Sequence, residues 1–389
     1  MNGLPRTTIT VKGLISRPNL NTDGITNVVV YNDNISDLTV FSTTNRIVKF
    51  TNLESVQSTG ITATSTNFKE TFYQLKNYFN AGGSYVNVGI FEEPETFDFS
   101  EIDTMNLFTK GEASLWMVCN PQQELSVTEI AKVNNKIAAL TDLKKPAHCF
   151  YYADTSTLTL SELPNLRTLA SDCPYVSVVI GIDVDLTNVY YNCGIVTGTA
   201  SSTSVNTSIL NTGLFNYTNG VDMVNVGLFL SVSDTPTKVD IKTISESDLD
   251  LLNDKGYIFF RYITDLLGTY LSNDNNSTKI SDTFNSVHMC RTRNKSIRQL
   301  NIYLSKLIGA TVLFNPDGTM KPISVAVYED AARTALNYMK QPNEISDFAV
   351  YVDPTQNVLS TKTVVTNASI IPTETSDYLP INIAFTQNI

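Results

Sequence analysis

Six carboxylates crowd into twelve residues of this chain, Glu92, Glu93, Glu95, Asp98, Glu101 and Asp103, directly after a strand-like run ending at Phe91. In an α/β enzyme, acids at the end of a strand can hold a metal ion or a cationic substrate. No histidine or nucleophile accompanies them, so the run reads as a solvated acidic loop. His148 and Cys149 are adjacent in the strand pattern Ala147 to Tyr152, and alternation sends them to opposite faces, which makes His148 a structural residue. Gly82-Gly83 and Gly181 fall outside any phosphate-cradling glycine pattern. Gly198 to Ser204 carries serines without a nucleophile elbow and reads as loop. Cys119, Cys149, Cys173, Cys193 and Cys290 are odd in number and lack metal-knuckle or redox spacing, so they are expected as reduced core residues of a cytosol-folded chain. The residues therefore offer no catalytic set, no metal site and no cofactor.

One constellation is charged differently. Arg291, Lys295 and Arg298 recur at i, i+4 and i+7 in a predicted helix from Ser281 to near Gly309, and no acid occurs between Asp282 and Asp317. In a chain of formal charge −11 this segregation suggests a docking face for an acidic partner surface; a solvated face, or one paired with acids of the same subunit, is the plainer alternative. Cys290, Ile297, Leu300, Leu304 and Leu307 would form the apolar stripe beside it.

The elements that position these residues follow from periodicity. A helix over 67–80 runs through Gly82-Gly83 into the strand Tyr85 to Phe91, and the next strand is Ser114 to Cys119. Ser126, with Glu129 three residues on, caps a helix to about Leu143; strands at Ala147 to Tyr152 and Val176 to Asp183 flank a predicted helix over Ser161 to Ala170. This rhythm predicts an α/β fold with a mixed, largely parallel sheet covered by helices on both faces. A loop-rich connection follows, and a second, α+β lobe contains strands at Val224 to Leu230, Tyr257 to Ile263, Phe348 to Val352 and Lys362 to Thr366, with a helix over Ser324 to Lys340. The expected organisation is an N-terminal arm (1–26), an α/β lobe (27–190), a connection (191–240), a second lobe (241–375) and a C-terminal arm (376–389).

Both arms alternate like half-buried strands. Leu379, Ile381, Ile383 and Phe385 share one face at the C-terminus, and Ile9, Val11 and Ile15 do so near the N-terminus. Apolar stripes at chain ends need a sheet to join, either their own or a neighbour's. The acidic charge argues against general nucleic-acid binding. No apolar run is long enough to span a membrane, and Met1 to Arg6 lacks a signal-peptide core, so neither membrane insertion nor that export route is expected.

The second half also carries a resemblance. The order of Asp248 to Asn253, Lys255 to Arg261, Gly268 to Asp274, the helix bearing Arg291 and Arg293, a two-strand unit and an alternating terminal strand is similar to that of contractile tail sheath proteins of bacteriophages and related injection systems. Gly3 to Val11 resembles the start of one sheath branch. The likeness covers about residues 245 to 389 and the first 30. It implies a self-polymer of stacked hexameric rings around an inner tail tube protein, capped by baseplate and tail terminator, contracting to drive the tube through a target envelope without consuming nucleotide. It implies a place in a virion tail assembled in the bacterial host cytoplasm, or in a cytoplasmic injection particle. By the same resemblance the arms would add strands to neighbouring subunits, and Arg291, Lys295 and Arg298 would face the tube. The alternatives are a soluble α/β enzyme of unknown substrate and another virion or baseplate component.

Overall fold

The computed structural model describes residues 23–218, 221 and 223–376. Its body is built on a six-stranded sheet. Strand β1 (Thr26–Tyr31) is central and is followed by β2 (Ile47–Phe50), α1 (Leu53–Gln57), α2 (Lys69–Asn80), β3 (Val86–Phe91), α3 (Glu101–Phe108), β4 (Leu115–Glu124), α4 (Val127–Asp142), β5 (His148–Asp154) and β6 (Val176–Val178). The spatial order is β2-β3-β1-β4-β5-β6, parallel throughout except for the antiparallel edge strand β2. In register, Val28 faces Val88 on one side and Met117 on the other. Every residue of β1 and β3 is buried, as are the first six of β4. Successive side chains point to opposite faces, so both faces of this sheet are covered, as parallel pairing requires. Ser126 caps α4 by accepting from the Glu129 amide, as its sequence predicts.

The next element corrects the sequence reading. The Gly, Thr and Ser run taken as loop forms α5 (Cys193–Ser202), a helix buried almost throughout. Its small residues allow close approach to α2. A Cβ added at Gly194 would collide with the Gln74 carbonyl, and one at Gly198 with the Tyr78 carbonyl. Composition suggested a loop, but the two glycines, four residues apart, create a flat contact stripe on one helix face.

Beyond β6, β7 (Gly181–Asp183) joins the antiparallel pair β8 (Val226–Val232) and β9 (Thr235–Asp240). Then come α6 (Glu246–Asp254), β10 (Phe260–Arg261) and β11 (Tyr270–Leu271). The run Tyr257 to Phe260 is fully buried; Ile258 makes an isolated parallel bridge to Val179, and Phe260 enters the β10–β11 ladder. The predicted helix over 161–170 is absent. Instead, turns wrap around Lys255, whose ammonium donates to the carbonyls of Leu160, Ser161 and Leu163. Those carbonyls are met by a distant charge, so the segment needs no helical ladder.

The chain ends in α7 (Val287–Leu304), α8 (Pro322–Lys340), β12 (Ile345–Tyr351), α9 (Val358–Thr361) and β13 (Asn367–Pro372). One apolar core is continuous from Val28 to Val287, and two smaller clusters stand beside it, one of Val205, Leu336, Met339 and Ile345 and one of Met320, Val352 and Val358. The strand expected at Lys362 to Thr366 lies slightly later, as β13, behind the short helix α9.

Candidate subunit-contact surface

Helix α7 buries Cys290 of its expected apolar stripe, but its polarity is otherwise the reverse of that expected. Arg291, Thr292, Asn294, Ser296, Arg298 and Gln299 are buried, whereas Ile297, Leu300, Leu304 and Leu307 are only partly covered. The reason is visible in what the buried side chains meet. Arg298, 8% exposed, donates from Nε to the Pro146 carbonyl at 2.8 Å and from its terminal nitrogens to Gly111 at 3.0 Å and Ala113 at 2.6 Å. These carbonyls lead into β5 and β4, before the strand ladders begin. Arg291 donates to the Thr203 and Ser204 carbonyls at 2.9 and 3.2 Å, covering the C-terminal end of α5, where a cation is also favoured by the helix dipole. Burial lowers both guanidinium pKa values to about 10, and both groups stay charged at neutral pH.

Lys295 bridges Asp23 Oδ2 and Glu344 Oε1, each at 2.6 Å. The outward basic face expected from Arg291, Lys295 and Arg298 is therefore not formed: the three head groups are turned into their own subunit. The missed signal was the abundance of Thr, Asn, Ser and Gln between the cations, which a solvated face does not require and a face that meets backbone carbonyls does.

His288 continues the same face one turn toward the N-terminus, giving the spacing 288, 291, 295, 298. Its Nδ1 lies 2.6 Å from Asp274 Oδ2 and its Nε2 3.3 Å from Glu374 Oε1. Burial opposes the imidazolium, but Asp274, followed by Glu374, outweighs it, and the His288 pKa lies above its ordinary value. Asp23 lies three residues before β1, and Glu374 two residues after β13. One helix face thus holds the roots of both terminal segments. Ile9, Val11, Ile15, Leu379, Ile381, Ile383 and Phe385 lie outside the described residues.

Beside these roots stands the two-stranded sheet β12–β13. Phe348, Val350 and Ile370 pack inward toward Leu336 and Met339 of α8, while Tyr351 and Ile371 on the same strands remain exposed. Among the described residues each strand pairs only with the other, leaving an open backbone edge on both sides. An isolated two-stranded sheet is marginal, and its edges are templates for further strands. Two concavities adjoin this lobe. A polar cleft of about 880 Å³ includes Asp23, Lys295, Tyr338 and Glu344 in its lining. An apolar groove of about 660 Å³ is lined by Leu304, Leu307, Ile308, Phe314 and Leu359, of which Ile308 is 84% exposed.

Among the described residues the titratable groups of the body do not converge on one cleft. At the carboxyl end of the parallel sheet, where α/β enzymes place their sites, a crevice of about 80 Å³ is lined by Tyr31, Glu70, Cys119 and Tyr152. Burial pushes the Glu70 carboxyl up to about 7, against a hydrogen bond donated by Tyr152 at 2.6 Å. Burial also holds the Cys119 thiol well above its ordinary value, so it is protonated and a poor nucleophile. His148 lies at the other end of β5, bonded to Ser177 at 3.0 Å, and burial pushes its pKa down to about 3. The acidic run 92–103 is part loop and part helix α3, with Asp103 paired to Lys136. Among the described residues no group of His, Cys, Asp and Glu is arranged to hold a metal ion, all five cysteines are buried and free, and no helix is long and apolar enough to cross a membrane.

The sequence profile of the family described as DUF2586, N-terminal domain, matches residues 33–275, more than half of the chain. The chain belongs to the DUF2586 family. A search of curated proteins finds no match. The fold of this DUF2586 protein is similar to chains in three cryo-electron microscopy structures. One, from the baseplate of the anti-feeding prophage, AFP, has a TM-score of 0.62 at 14% identity, and one from the contracted AFP helical sheath has 0.61 at 15%, each with all of both chains covered. A third, from the contracted sheath complex of the extracellular contractile injection system PVC, has 0.58 at 13%, covering 98% of this chain and 99% of that one. At such identities the likeness is one of fold. It extends beyond the DUF2586 match to α7, α8 and the β12–β13 sheet.

Proposed function

We propose that this chain is a non-enzymatic structural subunit of a contractile particle, a sheath protein that polymerises as stacked hexameric rings around an inner tube. The observation that carries the reading is the likeness to a sheath chain over the whole length of both proteins. The open-edged β12–β13 sheet and the shared anchorage of both terminal roots on α7 support it. Leu379, Ile381, Ile383 and Phe385, with Ile9, Val11 and Ile15, would then supply strands to sheets of neighbouring copies, keeping subunits linked while their bodies exchange one packing for another. The inner tube protein, baseplate and tail terminator would be its other partners, and the particle tail its location.

A second reading follows from the likeness to a chain in the AFP baseplate structure: a sheath-like subunit that remains at the base of the particle. Negative-stain electron microscopy of the full-length chain beside a version ending at Thr375 tests both. Hollow striated tubes that vanish on truncation are expected of the sheath. Single rings or short caps that never lengthen would favour the baseplate position, and uniform globular particles from both versions would count against self-assembly through the C-terminal strand.

A further inference from the structure

We propose that His288 is a proton-dependent latch on the root of the C-terminal segment, holding Glu374 against α7 when the ring is protonated and releasing it when the ring is neutral. The geometry leaves the ring little choice. His288 and Asp274 are 2% exposed each, and Asp274, as a carboxylate, can only accept; the single N–H of a neutral ring is therefore drawn to Nδ1, 2.6 Å from Asp274. That tautomer leaves a lone pair on Nε2 facing the Glu374 carboxylate at 3.3 Å. Two acceptors cannot bond. Only the imidazolium donates in both directions at once.

The surrounding charges set the response. His288 is the second residue of α7, where the helix dipole disfavours a cation. Asp274, from the segment after β11, and Glu374, after β13, supply the compensating negative charge. Arg167, in the turns before β6, feels the field of Asp274 and donates to the neighbouring Asn275 Oδ1. Arg291, one turn along α7, is engaged with Thr203 and Ser204. The folded His288 pKa lies above its ordinary value because Asp274 and Glu374 outweigh burial, so the latch closes as pH falls through the folded pKa and opens as pH rises through it. Glu374 is 68% exposed, so its contact is a surface pair, and its loss should change opening of the segment by roughly two- to fivefold. The bearing of this latch on assembly rests on the sheath reading; the latch itself does not.

The experiment uses the unassembled full chain. It has two histidines, and His148 stays neutral far below the range of interest, so the imidazole proton resonance that titrates between pH 5 and 9 belongs to His288. Chymotryptic cleavage after Tyr378, normalised at each pH to an unstructured peptide, reads the release. The expected result is a His288 midpoint above 6.5 and a two- to fivefold rise in normalised cleavage from pH 5.5 to 8.5. In Glu374→Gln, an exposed site whose change does not threaten folding, the midpoint should fall and cleavage should become independent of pH. A midpoint below 6.5, or an unchanged pH response in Glu374→Gln, overturns the proposal.

Discussion

Arg298→Ala separates a buried anchor from an outward contact, because the two roles predict opposite behaviour of the lone subunit. Arg298 makes three charge-assisted hydrogen bonds, to Pro146, Gly111 and Ala113. At about 1.5–3 kcal/mol apiece they sum to roughly 5–9 kcal/mol. Two effects reduce this: the guanidinium is already penalised by burial, as its pKa of about 10 records, and water entering the truncated site would rehydrate some carbonyls. A net loss of about 3–5 kcal/mol remains, in the range found when one partner of a buried charged contact is removed. Since about 1.4 kcal/mol is tenfold in an equilibrium, opening of α7 from the body should become at least a hundredfold easier. Hydrogen exchange measured by mass spectrometry on peptides from 286–304 reads this directly. Protection within threefold of the unaltered protein would refute the anchoring argument, and loss of tube association with unchanged protection would restore the outward face.

Two other outcomes follow from buried positions in the body. Gly198→Val places a branched side chain against the Tyr78 carbonyl and should cost about 3 kcal/mol or more by forcing α2 and α5 apart, seen as a lowered urea midpoint or as insoluble expression. His148 is neutral when folded, with a pKa of about 3, whereas the unfolded chain takes up its proton near 6.5. Its contribution is therefore complete above pH 6.5 and is lost as pH falls toward 3, by up to about 1.4 kcal/mol per pH unit. Urea titrations between pH 6.5 and 4.5 should give a shallower fall in His148→Gln than in the unaltered chain; parallel falls would contradict the assignment.

The sheet was legible because its strands are buried on both sides, and continuous runs such as Val28 to Tyr31 and Leu115 to Cys119 have few other solutions. Helices α2 and α4 were legible through apolar spacing and, for α4, the Ser126 cap. What stayed hidden was held by long-range polar contacts. The turns at 158–168 depend on Lys255, which reaches in to Leu163 from 92 residues away, and on Arg167, which reaches out to Thr278, 111 residues away. Helix α5 reads as loop because the glycines that permit its contact with α2 are the residues that ordinarily interrupt helices. The cations of α7 were found in the right helix but assigned the wrong direction, since backbone carbonyls, the acceptors of Arg291 and Arg298, leave no mark in a sequence. His288 drew no notice because its partners, Asp274 and Glu374, lie 14 and 86 residues away.

The common anchorage of both chain roots has a mechanical side. His288 and Lys295 are seven residues apart, about 10 Å along α7 at 1.5 Å per residue. The stretch just before β1, at Asp23, and the stretch just after β13, at Glu374, are therefore tied to each other through two turns of one helix, which Arg291 and Arg298 fasten to the body, so a displacement of α7 moves both together.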